Sequence, residues 1–163
     1  MATKLSGPVL INSRPLFGTG GDTTQEHDIG ARIESSDGRV FRYVFCTPTA
    51  LVAGNLLQAR AENTAHQNRT VGTAAAIGAT VVEFSLGASA ANANIYAGGL
   101  LIVTTTPGNG YGYLIKSHAA VASSGAMICN LEDPIEVALT TSSVVDLVQG
   151  SHNGVIQFPT TAT

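Results

Sequence analysis

Gly98-Gly99-Leu100-Leu101-Ile102-Val103-Thr104-Thr105-Thr106-Pro107-Gly108-Asn109-Gly110-Tyr111-Gly112-Tyr113-Leu114-Ile115-Lys116-Ser117 reads as a strand, a turn and a returning strand. Pro107 fixes one backbone dihedral, and Gly108 and Gly110 can take the positive φ that tight turns need. The flanks are too short and too β-branched for helices, so the stretch is a hairpin. The pattern continues outward. Ala79-Thr80-Val81-Val82-Glu83-Phe84-Ser85-Leu86 alternates faces as a strand does. Ser123-Ser124-Gly125 turns into Ala126-Met127-Ile128-Cys129-Asn130-Leu131, and residues 143–148 and 154–158 complete the series. Ala88 to Tyr96 is a small-residue loop or one helical turn.

Upstream, Asp37-Gly38 is a turn signal that launches a strand over Arg39–Phe45. Pro48 stops it, and Thr49–Gln58 reads as a second strand interrupted at Gly54. Residues 59–68 are polar with a weak helical signal, and Ala74-Ala75-Ala76 is a connector boxed in by Gly72 and Gly78. Residues 1–36 carry breakers throughout, among them Gly7-Pro8, Arg14-Pro15 and Gly18-Thr19-Gly20-Gly21, with two apolar islands, Val9-Leu10-Ile11 and Leu16-Phe17. The expected fold is all-β: a compact β-barrel or β-sandwich of short antiparallel strands over residues 37–163, with an extended N-terminal arm over 1–36.

Charged residues make up 12% of the chain, about half the usual share for a soluble domain. Thr, Ser, Asn and Ala stand where charges would. That composition suits a β-body living among other subunits. The net charge of −3 gives no nucleic-acid footprint, and no apolar run is long enough to span a membrane. The N-terminus lacks the apolar core of a signal peptide. Residues 1–69 hold seven basic and six acidic side chains, whereas residues 70–163 hold one and five. The expected orientation therefore turns Arg14, Arg32, Arg39 and Arg42 toward protein partners and Glu132, Asp133, Glu136 and Asp146 toward solvent.

Catalytic and metal patterns are weak. His27, His66, His118 and His152 share no ligand spacing and sit beside turns, so they read as solvated surface residues. Gly18–Asp22 and Gly108–Gly112 are turns without a phosphate-loop lysine. Glu132-Asp133 with Glu136 reads as a solvated strand end rather than a calcium site. Cys46 and Cys129 read as buried free thiols. Tyr96, Tyr111 and Tyr113 cluster at the hairpin, where they could cap the barrel or bind a sugar. No enzyme activity, cofactor or metal is expected.

Several segments together resemble a known family. They are Phe41-Arg42-Tyr43-Val44, Ala50–Gln58, Ala76–Thr80, Tyr96–Val103, Gly108–His118 and Leu131–Ser143. In this order the chain is similar to structural proteins of tailed bacteriophages, the capsid decoration (cement) proteins, across about residues 38–158. It departs from them at Ser151-His152-Asn153, where the family carries Asn-Pro-Tyr. The resemblance implies a non-enzymatic virion protein, made in the host cytoplasm, that binds the outer capsid surface and stabilises neighbouring major capsid subunits. It also implies a homotrimer. Val9, Leu10, Ile11, Arg14, Leu16, Phe17 and Arg32 are the expected capsid or partner contacts. The alternative is a host-facing head fibre or adhesin that binds surface glycan; a glycan hydrolase would need a carboxylate pair that the sequence does not show.

Overall fold

A computed structural model describes residues 9–11, 25–35, 37–46, 51–52 and 54–158. The fold is all-β, with twelve strands among the described residues and a single 3-10 turn at Thr64–His66. Two compact units form. One is Arg60–Gly150; the other combines Met1–Ala59 with Ser151–Thr163. Compactness thus divides the chain at 59/60 and 150/151, whereas the sequence suggested an arm ending at 36.

The Arg60–Gly150 unit is a closed six-stranded barrel. Its strands are β6 (Arg69–Thr73), β7 (Val81–Ser85), β8 (Leu100–Val103), β9 (Gly112–His118), β10 (Ala126–Leu131) and β11 (Val144–Val148). Their order around the barrel is β10-β7-β6-β11-β8-β9, and all six pairings are antiparallel. Closure removes every exposed edge from this sheet. The hairpin read from sequence is β8–β9, with Leu101 opposite Tyr113 and Gly110 N–H bonded to Val103 O at 2.9 Å. Its connection is longer than a four-residue turn, because Thr104–Thr106 leave the strand: Thr104 N–H bonds Val144 O, and Thr105 Oγ1 accepts from Val144 N–H.

Alternation fills the barrel with side chains. Val82, Phe84, Leu101, Val103, Ile115, Met127, Cys129, Val145 and Leu147 point inward and are essentially fully buried. Ala75, Ile135 and Leu139 close one end, and Leu86, Ala91 and Tyr96 close the other. β6 has one buried apolar residue, Val71, and a register shift between Val71 and Thr73. That thin pattern is why residues 69–73 do not announce themselves as a strand.

In the other unit, β1 (Val9–Ile11), β2 (Arg32–Ser35) and β3 (Val40–Arg42) form a sheet in that order. The Asp37-Gly38 turn joins β2 to β3, with Gly38 at φ +82°. A second sheet sets β12 (Asn153–Gln157) between β4 (Phe45–Cys46) and β5 (Leu57–Gln58). The barrel has the expected antiparallel strands, and two pairings in this other unit are parallel, β1 with β2 and β12 with β4.

Three further expectations change. The strand expected over Arg39–Phe45 breaks at Tyr43, which turns back to exchange hydrogen bonds with Gly30 and Ala31. Among the described residues of the strand expected over Thr49–Gln58, only Leu57–Gln58 form a strand, because Gly54 takes φ +87° and Asn55 N–H closes a turn on Val52 O. The stretch expected as an extended arm contains β1 and β2.

Candidate interaction surfaces and the barrel mouth

The barrel's outer face carries exposed apolar residues. Val148, Leu100 and Leu114 stand directly opposite one another on β11, β8 and β9. Such cross-strand neighbours lie about 5 Å apart, so the three make one continuous apolar row. Leu100 is 40% exposed and Leu114 41%. The Lys116–Glu132 ion pair at 3.7 Å borders the row on the β10 side. Farther round, Ile128 and Val81 are exposed on β10 and β7, and Ile77 protrudes from the β6–β7 connection. In the other unit, Phe45, Leu56, Leu57 and Phe158 are exposed around the β4-β12-β5 sheet, where Phe158 N–H bonds Leu56 O at 2.8 Å.

The residues expected to touch partners are only partly placed. Val9–Ile11 form β1 and pair in register with Ile33–Ser35 of the same chain. Arg32, next to that pairing, is exposed and holds Glu34 at 2.8 Å. Arg14, Leu16 and Phe17 lie outside the described residues. Arg39 grips Asp37 at 2.6 Å, and its guanidinium holds the Asp37 carboxyl down to about 2. Arg42 donates to Gly30 O at 2.9 Å. Of the acidic group, Glu132, Asp133 and Glu136 are exposed, while Asp146 accepts Asn68 N–H at 2.6 Å.

One barrel end is built from a buried polar chain that the sequence did not suggest. His66 Nε2 lies 2.9 Å from Ser89 O, which can only accept, so this nitrogen carries the proton. Nδ1 is then the acceptor, and Tyr96 O–H donates to it at 2.5 Å. His118 is fixed the other way round: Nδ1–H donates to Ala119 O at 2.8 Å, and Nε2 accepts from Tyr96 N–H at 3.1 Å. Burial pushes the Tyr96 phenol up to about 12. Burial also lowers the His118 pKa, with nearby His66 adding to the effect against the pull of the Ala119 carbonyl. The His118 ring and the Tyr96 phenol are therefore held toward their neutral forms. These bonds tie the 3-10 turn, the Ser89 and Tyr96 segment and the end of β9 together at one barrel end.

This overturns the solvated reading for His66 and His118, which are buried. His27 and His152 keep partial exposure, His27 edge-on to Tyr43 and His152 bonded to Ser151 Oγ. Neither buried histidine could be told from a surface one by neighbours in sequence, because the residue they share, Tyr96, lies 30 residues from His66 and 22 from His118. The tyrosines divide. Tyr96 and Tyr113 are core residues, and Tyr111 is exposed and stacks on Tyr113. The thiols divide too. Cys129 is buried, its pKa pushed up to about 12 by burial, but Cys46 on β4 is exposed, contrary to expectation.

Above the His66–Tyr96 pair opens a shallow cleft of about 120 Å³, lined mainly by Arg60, Asn63, Asn92, Ile95 and Gln149. Among the described residues no three His, Cys, Asp or Glu side chains gather as a metal site. Compared with known protein families, curated proteins and solved structures, the chain matches none.

Proposed function

We propose that the chain is a bacteriophage capsid decoration protein, a homotrimeric cement subunit that binds the outer surface of the major capsid protein and stabilises neighbouring capsid subunits. The observation that carries this reading is the apolar row Val148–Leu100–Leu114 on the outside of a barrel whose inside is already packed solid. An interior filled by side chains leaves no room for a sizeable ligand. A charge-poor exterior fits protein contact, since interface cores are depleted in charge. Many small contacts, each weak, together resist the outward pressure of packed genome. The segment resemblance to phage cement proteins points the same way. The glycan-binding alternative loses its main support, because two of the three hairpin tyrosines are buried.

The test is attachment. Purified chain added to undecorated capsids should bind in many copies per particle, matching the capsomer junctions rather than the handful expected of a fibre. Replacing both Leu100 and Leu114 by Lys should abolish attachment or trimer formation while leaving the melting temperature within a few degrees, since both side chains are substantially exposed. A wild-type chain that stays monomeric and leaves capsids bare would refute the proposal.

A further inference from the structure

We infer that the barrel-mouth cleft is a docking site for a single carboxylate, carried on an acidic side chain of a partner protein. The cation comes first. Six basic side chains belong to the described residues, and five are spent within the chain. Arg32 and Arg39 hold Glu34 and Asp37, Arg42 and Arg69 bond backbone carbonyls, and Lys116 faces Glu132. Among the described residues Arg60 alone has neither a hydrogen-bond acceptor nor a carboxylate partner, and it stands at the rim of the cleft. Glu62, two residues on, influences Tyr96 but makes no bond to Arg60.

The lining is biased toward donors. Asn63 spends its Oδ1 on Ala65 N–H at 3.1 Å, which leaves the two Nδ2 hydrogens. Asn92 and Gln149 bring amides with an oxygen as well as an NH2, and Arg60 tips the balance with a fork of five N–H groups and no acceptor. His66 and the Tyr96 O–H are spent on each other at the cleft floor. No lining residue is acidic. A neutral sugar needs acceptors as well as donors, so a surplus of donors around one guanidinium selects an anion, and the planar fork suits a carboxylate. Size selects its carrier. At about 120 Å³ the cleft is well below the ~300–1,000 Å³ of small-molecule pockets. It takes the tip of a Glu or Asp side chain presented by a surface, with the flanking peptide lying against Asn63 and Asn92. The inference deepens the assembly reading, on which the protein source of the carboxylate rests.

The experiment needs no capsid. The full chain, labelled with ¹⁵N, is titrated with acetyl-Gly-Glu-Gly-amide, acetyl-Gly-Gln-Gly-amide and acetate, and the side-chain amide signals of Asn63 and Asn92 are followed. The glutamate peptide should shift both signals saturably, at least tenfold more tightly than its glutamine counterpart or acetate. Arg60→Gln should weaken it about tenfold or more. Arg60→Lys, which keeps the charge but loses the fork, should fall between. Arg42→Gln should bind as wild type, and unchanged backbone spectra establish that each variant is folded. Equal binding of the glutamine peptide, or undiminished binding by Arg60→Gln, overturns the site. Acetate binding as tightly as the peptide overturns the protein source. Peptide binding by a chain that leaves capsids bare would keep the site and refute the cement reading.

Discussion

Replacing Tyr96 by Phe removes one oxygen from the closed end of the barrel and leaves the ring in place. That oxygen donates the 2.5 Å bond to His66 Nδ1. His66 cannot turn to recover a donor, because Nε2–H is committed to Ser89 O at 2.9 Å and the ring is only 2% exposed. The variant therefore strands a buried acceptor. Stranding a buried polar group costs about 1–3 kcal/mol, more than the net value of an ordinary hydrogen bond. We expect about 2 kcal/mol, since the phenol is also nearly buried. Urea unfolding followed by far-ultraviolet circular dichroism should show a lower midpoint with unchanged slope. A double-mutant cycle with His66→Leu separates this bond from simple packing. In the double variant neither partner remains to be orphaned, so the combined loss should fall short of the sum by about 1 kcal/mol or more. A Tyr96→Phe loss below about 0.5 kcal/mol, or strict additivity, would show that the buried chain does not hold the barrel end and would refute the tautomer assignment on which it rests.

Three other outcomes follow from the same structure. His118 is held below its ordinary pKa in the folded state, so the unfolded chain takes up its proton first; stability should be complete above about pH 6.5 and decline as pH falls below it, and His118→Asn should flatten that decline in thermal melts. A methyl group at Gly99 would drive into the Val148 carbonyl and crowd Gly150 N, so Gly99→Ala should destabilise the barrel by several kcal/mol, whereas Gly112→Ala, with open space around it, should be nearly silent in the same denaturation assay. One thiol per native chain should react quickly with a thiol reagent, Cys46, while Cys129 should react only on unfolding; two fast thiols would contradict the packing of β10.

The barrel was legible wherever one face of a strand is wholly apolar. Residues 79–86 alternate, 100–103, 113–117 and 126–131 are short apolar-rich runs between turn signals, and Phe84, Leu101, Ile115 and Met127 all face inward. β6 escaped because a barrel closed by five stronger strands tolerates one held largely by backbone bonds. Elements of two or three residues, such as β4 and β5, are too short to develop any period. The mouth was illegible for a different reason. Asn63, His66, Asn92, Tyr96 and Gln149 come from three separated segments, and what gives them meaning is the set of bonds already spent, which only coordinates reveal. Low charge content is matched on the barrel exterior by exposed apolar residues such as Leu100, Leu114 and Ile128.

The barrel is a parenthesis in the chain. It opens at Arg60 and closes at Gly150, and the sheet outside it lacks its middle strand until β12 follows. During synthesis, then, β4 and β5 leave the ribosome and wait without a partner while the whole barrel is made. Arg60 and Gln149 line one cleft, so a barrel that folds on emergence brings its two ends together. Most of the loop-closure entropy of bridging the insertion is thereby met before β12 appears. The expected folding order runs against the order of translation: the inserted barrel first, the enclosing sheet last, with the exposed Phe45 and Leu57 strands unpaired in between.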